Sequence, residues 1–179
     1  MTLANKLTLS RIAFVPVFMG FALMELPLCE VIAACIFLLA AATDGLDGYV
    51  ARKRNEITNM GKLLDPLADK LLVTGALIVL VDIGRIPSWI VVIILGREFL
   101  VTGLRGIAAT EGLVIAATPM AKLKTVSQIL AVIVLLLDQH FLHYLGFAPG
   151  IWLLYLALFF TVYTGFDYMT KTFSVIAQT

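Results

Sequence analysis

The stretch "DGLDGYVARKRNEITNMGKLLDPLAD", residues 44–69, sets four carboxylates, Asp44, Asp47, Asp65 and Asp69, between two long apolar runs. At about 100° per residue, Asp44, Asp47, Gly48 and Ala51 share one helical face, with Arg52 at its edge. Gly61, Asp65 and Asp69 recur every four residues on a second face. The tight connection at 53–60 predicts a helical hairpin that turns the two stripes toward each other. Glycine and alanine leave space beside the acids. Pro66 is expected near the start of the second helix, where a missing amide hydrogen is tolerated.

The rest of the chain explains why these acids stand out. Of 179 residues, 61% are hydrophobic, against about 45–50% in a soluble domain. Mean hydropathy is +1.01. This composition predicts an integral membrane protein. The net charge of +1 offers no global field for nucleic acid. Cys29 and Cys35 have no metal or redox spacing and read as small apolar residues. Lys6 and Arg11 before an apolar run superficially suggest a secretion signal, but no small-residue cleavage site follows and hydrophobic segments continue to the C-terminus.

A membrane span needs roughly 20 apolar residues. Six stretches qualify, near 10–27, 30–51, 63–82, 87–106, 118–138 and 149–170. They predict an all-α bundle of six transmembrane helices forming one domain over 1–179. Residues before Arg11 are expected to lie along the interface as a short amphipathic segment. Of thirteen Lys and Arg, only Arg85 falls opposite the side that holds the N-terminus and the 52–62 connection. The positive-inside rule puts that crowded side, and the aspartates with it, at the cytoplasmic face of the cell membrane.

A charge near the centre of a membrane helix costs roughly 2.5–3.5 kcal/mol on insertion scales, and four acids repel one another. Something cationic must compensate. Carboxylates without thiolate or imidazole suit hard divalent cations, and small residues beside them leave room for a metal-bound phosphate ester. Two ions about 3.5–4 Å apart would suit displacement at phosphorus. Two other readings of the spacing stay open: a cation-conducting carboxylate group, and salt bridging to Arg52, Lys53 and Arg54.

Written as D44-x2-D47-G48-x2-A51-R52-x8-G61-x3-D65-x3-D69, the stretch resembles the signature of the CDP-alcohol phosphotransferase family at every position. The six predicted helices also suit that family. The resemblance implies displacement of CMP from a CDP-linked donor by an alcohol, assisted by Mg²⁺ or Mn²⁺, with two ions expected. It implies that Asp44, Asp47, Asp65 and Asp69 meet the metal and that Asp69 is the general base. It further implies donor binding by Gly48, Arg52, Thr58 and Gly61, and by Asn5 and Thr8 of "NKLTLSR" at 5–11. A base crowded by other acids would have a raised pKa, which suits proton abstraction from a hydroxyl. A homodimer is expected because members of the family commonly form one.

The acceptor is read elsewhere. "GREFLVTGLRG" at 96–106 and "KLKT" at 122–125 resemble elements of those family members that join CDP-diacylglycerol to sn-glycerol 3-phosphate. Arg97 lies about 15 Å into its helix, a costly depth unless it faces a polar cavity. Arg105 is about 80° round the same helix, and Lys122 and Lys124 open the next one. Together they predict a basic cup for an acceptor phosphate. The plainer readings are an Arg97 pair with Glu98, and Arg105, Lys122 and Lys124 as headgroup anchors. Inositol phosphate, phosphatidylglycerol or another alcohol remains the rival acceptor, and ion transport the remote rival function. His140 and His143 read as interfacial residues. Trp89, Tyr144, Trp152 and Tyr155 read as aromatic belts.

Overall fold

The structure, a computed structural model, describes residues 3–24, 26–54, 59–110 and 119–176. Among them are seven helices: α1 (Leu3–Ala22), α2 (Pro27–Arg54), α3 (Asn59–Asp82), α4 (Ser88–Thr110), α5 (Pro119–Leu136), α6 (Asp138–Leu145) and α7 (Gly150–Ile176). The described residues contain no strand. The all-α expectation holds. Three details differ from it. α1 runs unbroken from Leu3, so residues 3–10 are its first turns and not a separate segment. The predicted break at 138–150 contains the short helix α6. Pro66 also falls at the eighth residue of α3, past the first turn. There its missing N–H deprives the Lys62 carbonyl of an intrahelical partner.

Six of the helices have 18 to 28 residues, or about 27–42 Å at 1.5 Å per residue. Among the described residues, only the stretch Gly150–Thr170 of α7 is both long and apolar enough to qualify alone as a span. Leu9–Ala22 and Leu28–Thr43 are shorter apolar stretches.

Helix ends follow the local chemistry. Gly84 adopts φ +71° after α3. Its N–H donates to the Val81 carbonyl and the Arg85 N–H donates to that of Leu80, a Schellman cap that needs a left-handed residue. Gly146 closes α6 at φ +73°, donating to Leu142.

The chain divides into two compact units. The first comprises residues 1–85 and 132–150. Its core interleaves Val15, Phe18 and Ala22 of α1 with Ala33, Phe37 and Ala40 of α2 and Leu72, Ala76 and Leu80 of α3. These positions repeat at three- and four-residue intervals, the spacing of one helical face. The rings of Phe18 and Phe37 lie 5.6 Å apart. A methyl group on Gly75 would meet Val15 at 3.1 Å, so that glycine sets the close approach of α3 to α1.

The first unit also contains an ion pair the sequence reading lacked. Arg85 donates to Glu30 of α2 and to the carbonyls of Leu135 and Leu136, the last residues of α5. Glu30 is 2% exposed. His140 Nδ1 lies 3.7 Å from the other Glu30 oxygen, without a hydrogen bond between them. His140 is therefore half-buried beside this pair. Asp138 caps α7 by accepting the Gly150 N–H at 3.1 Å. A methyl group on Gly150 would lie 2.8 Å from Asp138 Oδ1 and from Leu135, whose side chain is fully buried. Gly150→Ala is expected to cost about 1–3 kcal/mol, as overpacking does. Thermal unfolding of the full chain in detergent reads this directly.

The second unit comprises residues 86–131 and 151–179. Ile90, Ile94 and Val101 of α4 are buried with Ala131 of α5 and with Leu154 and Ala157 of α7. Polar residues continue the buried side of α7: Thr161, Thr164 and Tyr168.

Candidate active site

The two acid stripes extend two buried faces. On α2, Ala33, Phe37 and Ala40 are buried, and Asp44, Asp47, Gly48 and Ala51 lie within about 60° of that line. On α3, Leu72, Ala76 and Leu80 are buried, and Asp65 and Asp69 hold positions on the same face. α1 behaves likewise. Arg11 sits in line with Val15, Phe18 and Ala22 and is 1% exposed. Each helix of this three-helix packing thus carries an apolar face that turns charged toward one end.

Those ends coincide. Short connections at 23–26 and 55–58 make successive helices antiparallel. Measured from the Phe18–Phe37 contact, Arg11 and Asp44 are each about 10 Å along their helices. Measured from Gly75, Asp69 and Asp65 are about 9 and 15 Å along α3. One level of the unit therefore gathers the four aspartate positions and a buried arginine. A guanidinium in so apolar a setting requires anions near it.

The side chains of residues 44–66 and of Asp69 lie outside the described residues, as do those of Asn5 and Thr8 and the whole of Thr58. Gly48, Arg52 and Gly61 are placed by the backbone of α2 and α3 only. Among the described residues no group of three or more His, Cys, Asp or Glu could hold a metal. The donor set that fits one is the four aspartates. They offer only oxygen, with small residues in register, as a hard divalent cation demands.

The second unit contains the basic residues. Arg97 has three contacts. Its Nε donates to the Thr161 carbonyl at 3.1 Å, one terminal nitrogen to Thr164 Oγ1 at 2.9 Å and the other to Glu98 Oε1 at 3.2 Å. Lys124 pairs with the same Glu98 oxygen. Arg105 donates to the Tyr168 hydroxyl at 3.1 Å and lies 5.3 Å from its ring centroid. Lys122, two residues before the buried Lys124, is exposed on another face of α5. The structure thus joins Arg97 to Lys124 through Glu98. It gives Arg105 a separate partner and leaves Lys122 outside the group.

Sequence reasoning missed the α7 side of this arrangement. Thr161, Thr164, Gly165 and Tyr168 recur at helical spacing in an otherwise apolar run. Polar residues at that period inside a span are a signal of an inward face, and it was available in the sequence.

The model of the CDP-alcohol phosphatidyltransferase family matches residues 1–163. The chain belongs to this family. Relatives within it are similar along most of their length. The CDP-diacylglycerol--glycerol-3-phosphate 3-phosphatidyltransferase of Bacillus subtilis is 44% identical over 97% of this chain and 96% of its own. The protein of that name in Rickettsia bellii is 41% identical over 93% and 92%. A probable phosphatidylglycerophosphate synthase of Mycobacterium tuberculosis is 39% identical over 94% and 80%. The matched residues include the stretch 44–69 with its four aspartates.

Proposed function

We propose that the protein transfers the phosphatidyl group of CDP-diacylglycerol to sn-glycerol 3-phosphate, giving phosphatidylglycerophosphate and CMP. The observation that carries the reading is the continuation of two buried helix faces into the family's four aspartates. The acceptor is supported by relatives of 38–44% identity bearing this activity in their names.

In this reading Asp69 accepts the proton of the primary hydroxyl of glycerol 3-phosphate. The freed oxygen forms a bond to the phosphorus that carries diacylglycerol, and the bond from that phosphorus to CMP breaks. Asp44, Asp47, Asp65 and Asp69 would hold Mg²⁺ or Mn²⁺. A divalent ion there supplies charge neutralisation of the diphosphate and of the departing CMP. Arg52 pairs with the diphosphate, Gly48 and Gly61 give the nucleotide room beside the helices, and Asn5, Thr8 and Thr58 complete the donor contacts. In the second unit, Arg97 and Lys124 bind the acceptor phosphate, with Arg105 and Lys122 as outlying cations.

The reading also places the chain in the cell membrane, crossed by α1 to α5 and α7, with the aspartates at the cytoplasmic face. Helix lengths and the distribution of Lys and Arg support this. So do large apolar side chains facing outward on several helices, among them Leu38 and Leu39 of α2, Val92 and Phe99 of α4, and Trp152 and Phe166 of α7.

The test uses purified protein in detergent with CDP-diacylglycerol and Mg²⁺. Labelled glycerol 3-phosphate, inositol phosphate, serine and phosphatidylglycerol are supplied in separate reactions. Lipid-soluble label and CMP are expected from glycerol 3-phosphate alone. Chelation with EDTA is expected to stop both products, and added Mg²⁺ or Mn²⁺ to restore them. CMP release with another acceptor would keep the aspartate chemistry and discard the acceptor. Absence of CMP with every acceptor, in folded protein, would discard both.

A further inference from the structure

Arg97 reaches its position only because residue 165 lacks a side chain. A Cβ built on Gly165 would lie 2.8 Å from Arg97 Cγ, 3.3 Å from Nε and 3.7 Å from Cδ. The tight contact falls on Cγ, close to the α4 backbone. Arg97 could relieve it only by changing its first torsions, which would swing the whole guanidinium elsewhere.

The neighbouring residues of α7 then fix the guanidinium. The Thr161 carbonyl accepts from Nε and Thr164 Oγ1 accepts from a terminal nitrogen. Both threonines are themselves held. Thr164 Oγ1 donates to the Phe160 carbonyl at 2.6 Å, and Thr161 Oγ1 donates to Ala157 at 2.6 Å and accepts from Gln128 at 3.0 Å. Thr161 is fully buried and Thr164 is 4% exposed. A guanidinium has five N–H bonds. Its contacts with Thr161, Thr164 and Glu98 use one on each nitrogen. One remains on each terminal nitrogen, and a guanidinium that offers an N–H from each can bind two oxygens of one phosphate.

We infer that Gly165 and Thr164 are positioning residues for the acceptor: they set the path and plane of Arg97 so that its two remaining N–H bonds present a bidentate site to the phosphate of the acceptor. The inference rests on the reading of Arg97 as an acceptor-phosphate ligand. It adds two residues on α7 that touch neither substrate and yet determine affinity for one of them.

The test measures KM for each substrate in Gly165→Ala, Thr164→Val, Thr164→Ser and Arg97→Ala, and in the double variants G165A/R97A and T164V/R97A. Gly165→Ala and Thr164→Val are expected to raise KM for glycerol 3-phosphate about tenfold, within the range for coupled neighbours. KM for CDP-diacylglycerol should stay unchanged. Thr164→Ser keeps the hydroxyl and loses only a methyl, so it should retain the native KM. With Arg97 already Ala, neither α7 substitution should add to the effect. Equal effects in both backgrounds, or a Thr164→Ser KM like that of Thr164→Val, would reduce these residues to helix packing and overturn the inference. If Arg97→Ala raised the KM while Gly165→Ala and Thr164→Val did not, the cradle would fail and the acceptor reading would survive. A native KM in Arg97→Ala would overturn the acceptor role of Arg97, and the cradle with it.

Discussion

Asp69→Asn is expected to lower turnover by about 10²–10⁴-fold, the contribution of a positioned general base. Asparagine matches aspartate in size and keeps a carbonyl oxygen for a cation, but it cannot take the proton of an attacking hydroxyl. Binding of CDP-diacylglycerol should therefore persist. The same change at Asp44, Asp47 or Asp65 should act differently. Those variants, like Asp69→Asn, lose an anionic oxygen and are expected to need more Mg²⁺, but they keep the base and should recover activity as the metal is raised. Titrating Mg²⁺ across the four variants separates the roles. If Asp69→Asn recovered with metal as the other three do, Asp69 would be a ligand only. Near-native turnover at ordinary Mg²⁺ would remove it from the reaction.

The second large effect concerns stability. Glu30→Ala is expected to destabilise the chain by about 3–5 kcal/mol, the usual consequence of stripping one partner from a buried ion pair. Glu30 is 2% exposed and the Arg85 side chain 11%, so water can replace little of the lost interaction. Arg85→Met should cost a similar amount, since it strands the Glu30 charge and leaves the carbonyls of Leu135 and Leu136 without their donor. Replacing both residues by Met removes both charges. It should recover part of the loss, but not all, because those two carbonyls remain unpaired. Unfolding of the full chain in detergent gives the three values. Single variants within about 1 kcal/mol of the native protein would mean that the pair contributes no more than an exposed salt bridge.

Arg85 also shows what a sequence leaves open. Read by charge distribution, it was the lone cation on its side, with no assigned partner. Its anion lies 55 residues earlier, at the start of another helix. Both Glu30 and Arg85 were visible, and nothing in their local surroundings linked them. The same holds for Lys122 and Lys124. As sequence they form one basic motif, but two residues along a helix turn about 200°, and the packing of α5 buries only Lys124. Glu98 ranked as a possible partner of Arg97; its bridge to Lys124 required α4 and α5 to meet.

The local features were legible because their causes are local. Helical period places Asp44 with Asp47 and Asp65 with Asp69 whatever the rest of the chain does. Gly84 ends α3 because a left-handed residue closes a helix there. Length and apolar content set α2 to α5 to within four residues at each end, whereas α1 starts seven residues and ends five residues earlier than the predicted stretch and α7 runs six residues beyond it. By contrast, the continuous start of α1 and the short α6 depend on choices near helix ends, where sequence signals are weakest. The sequence by itself determined an all-helical chain carrying a family signature in two stripes. Tertiary structure decided which charge meets which, and that Gly165 makes way for Arg97. The physical reason is that a helix face repeats every few residues, whereas a partner is set by how distant helices pack, over separations at which sequence spacing holds no geometry.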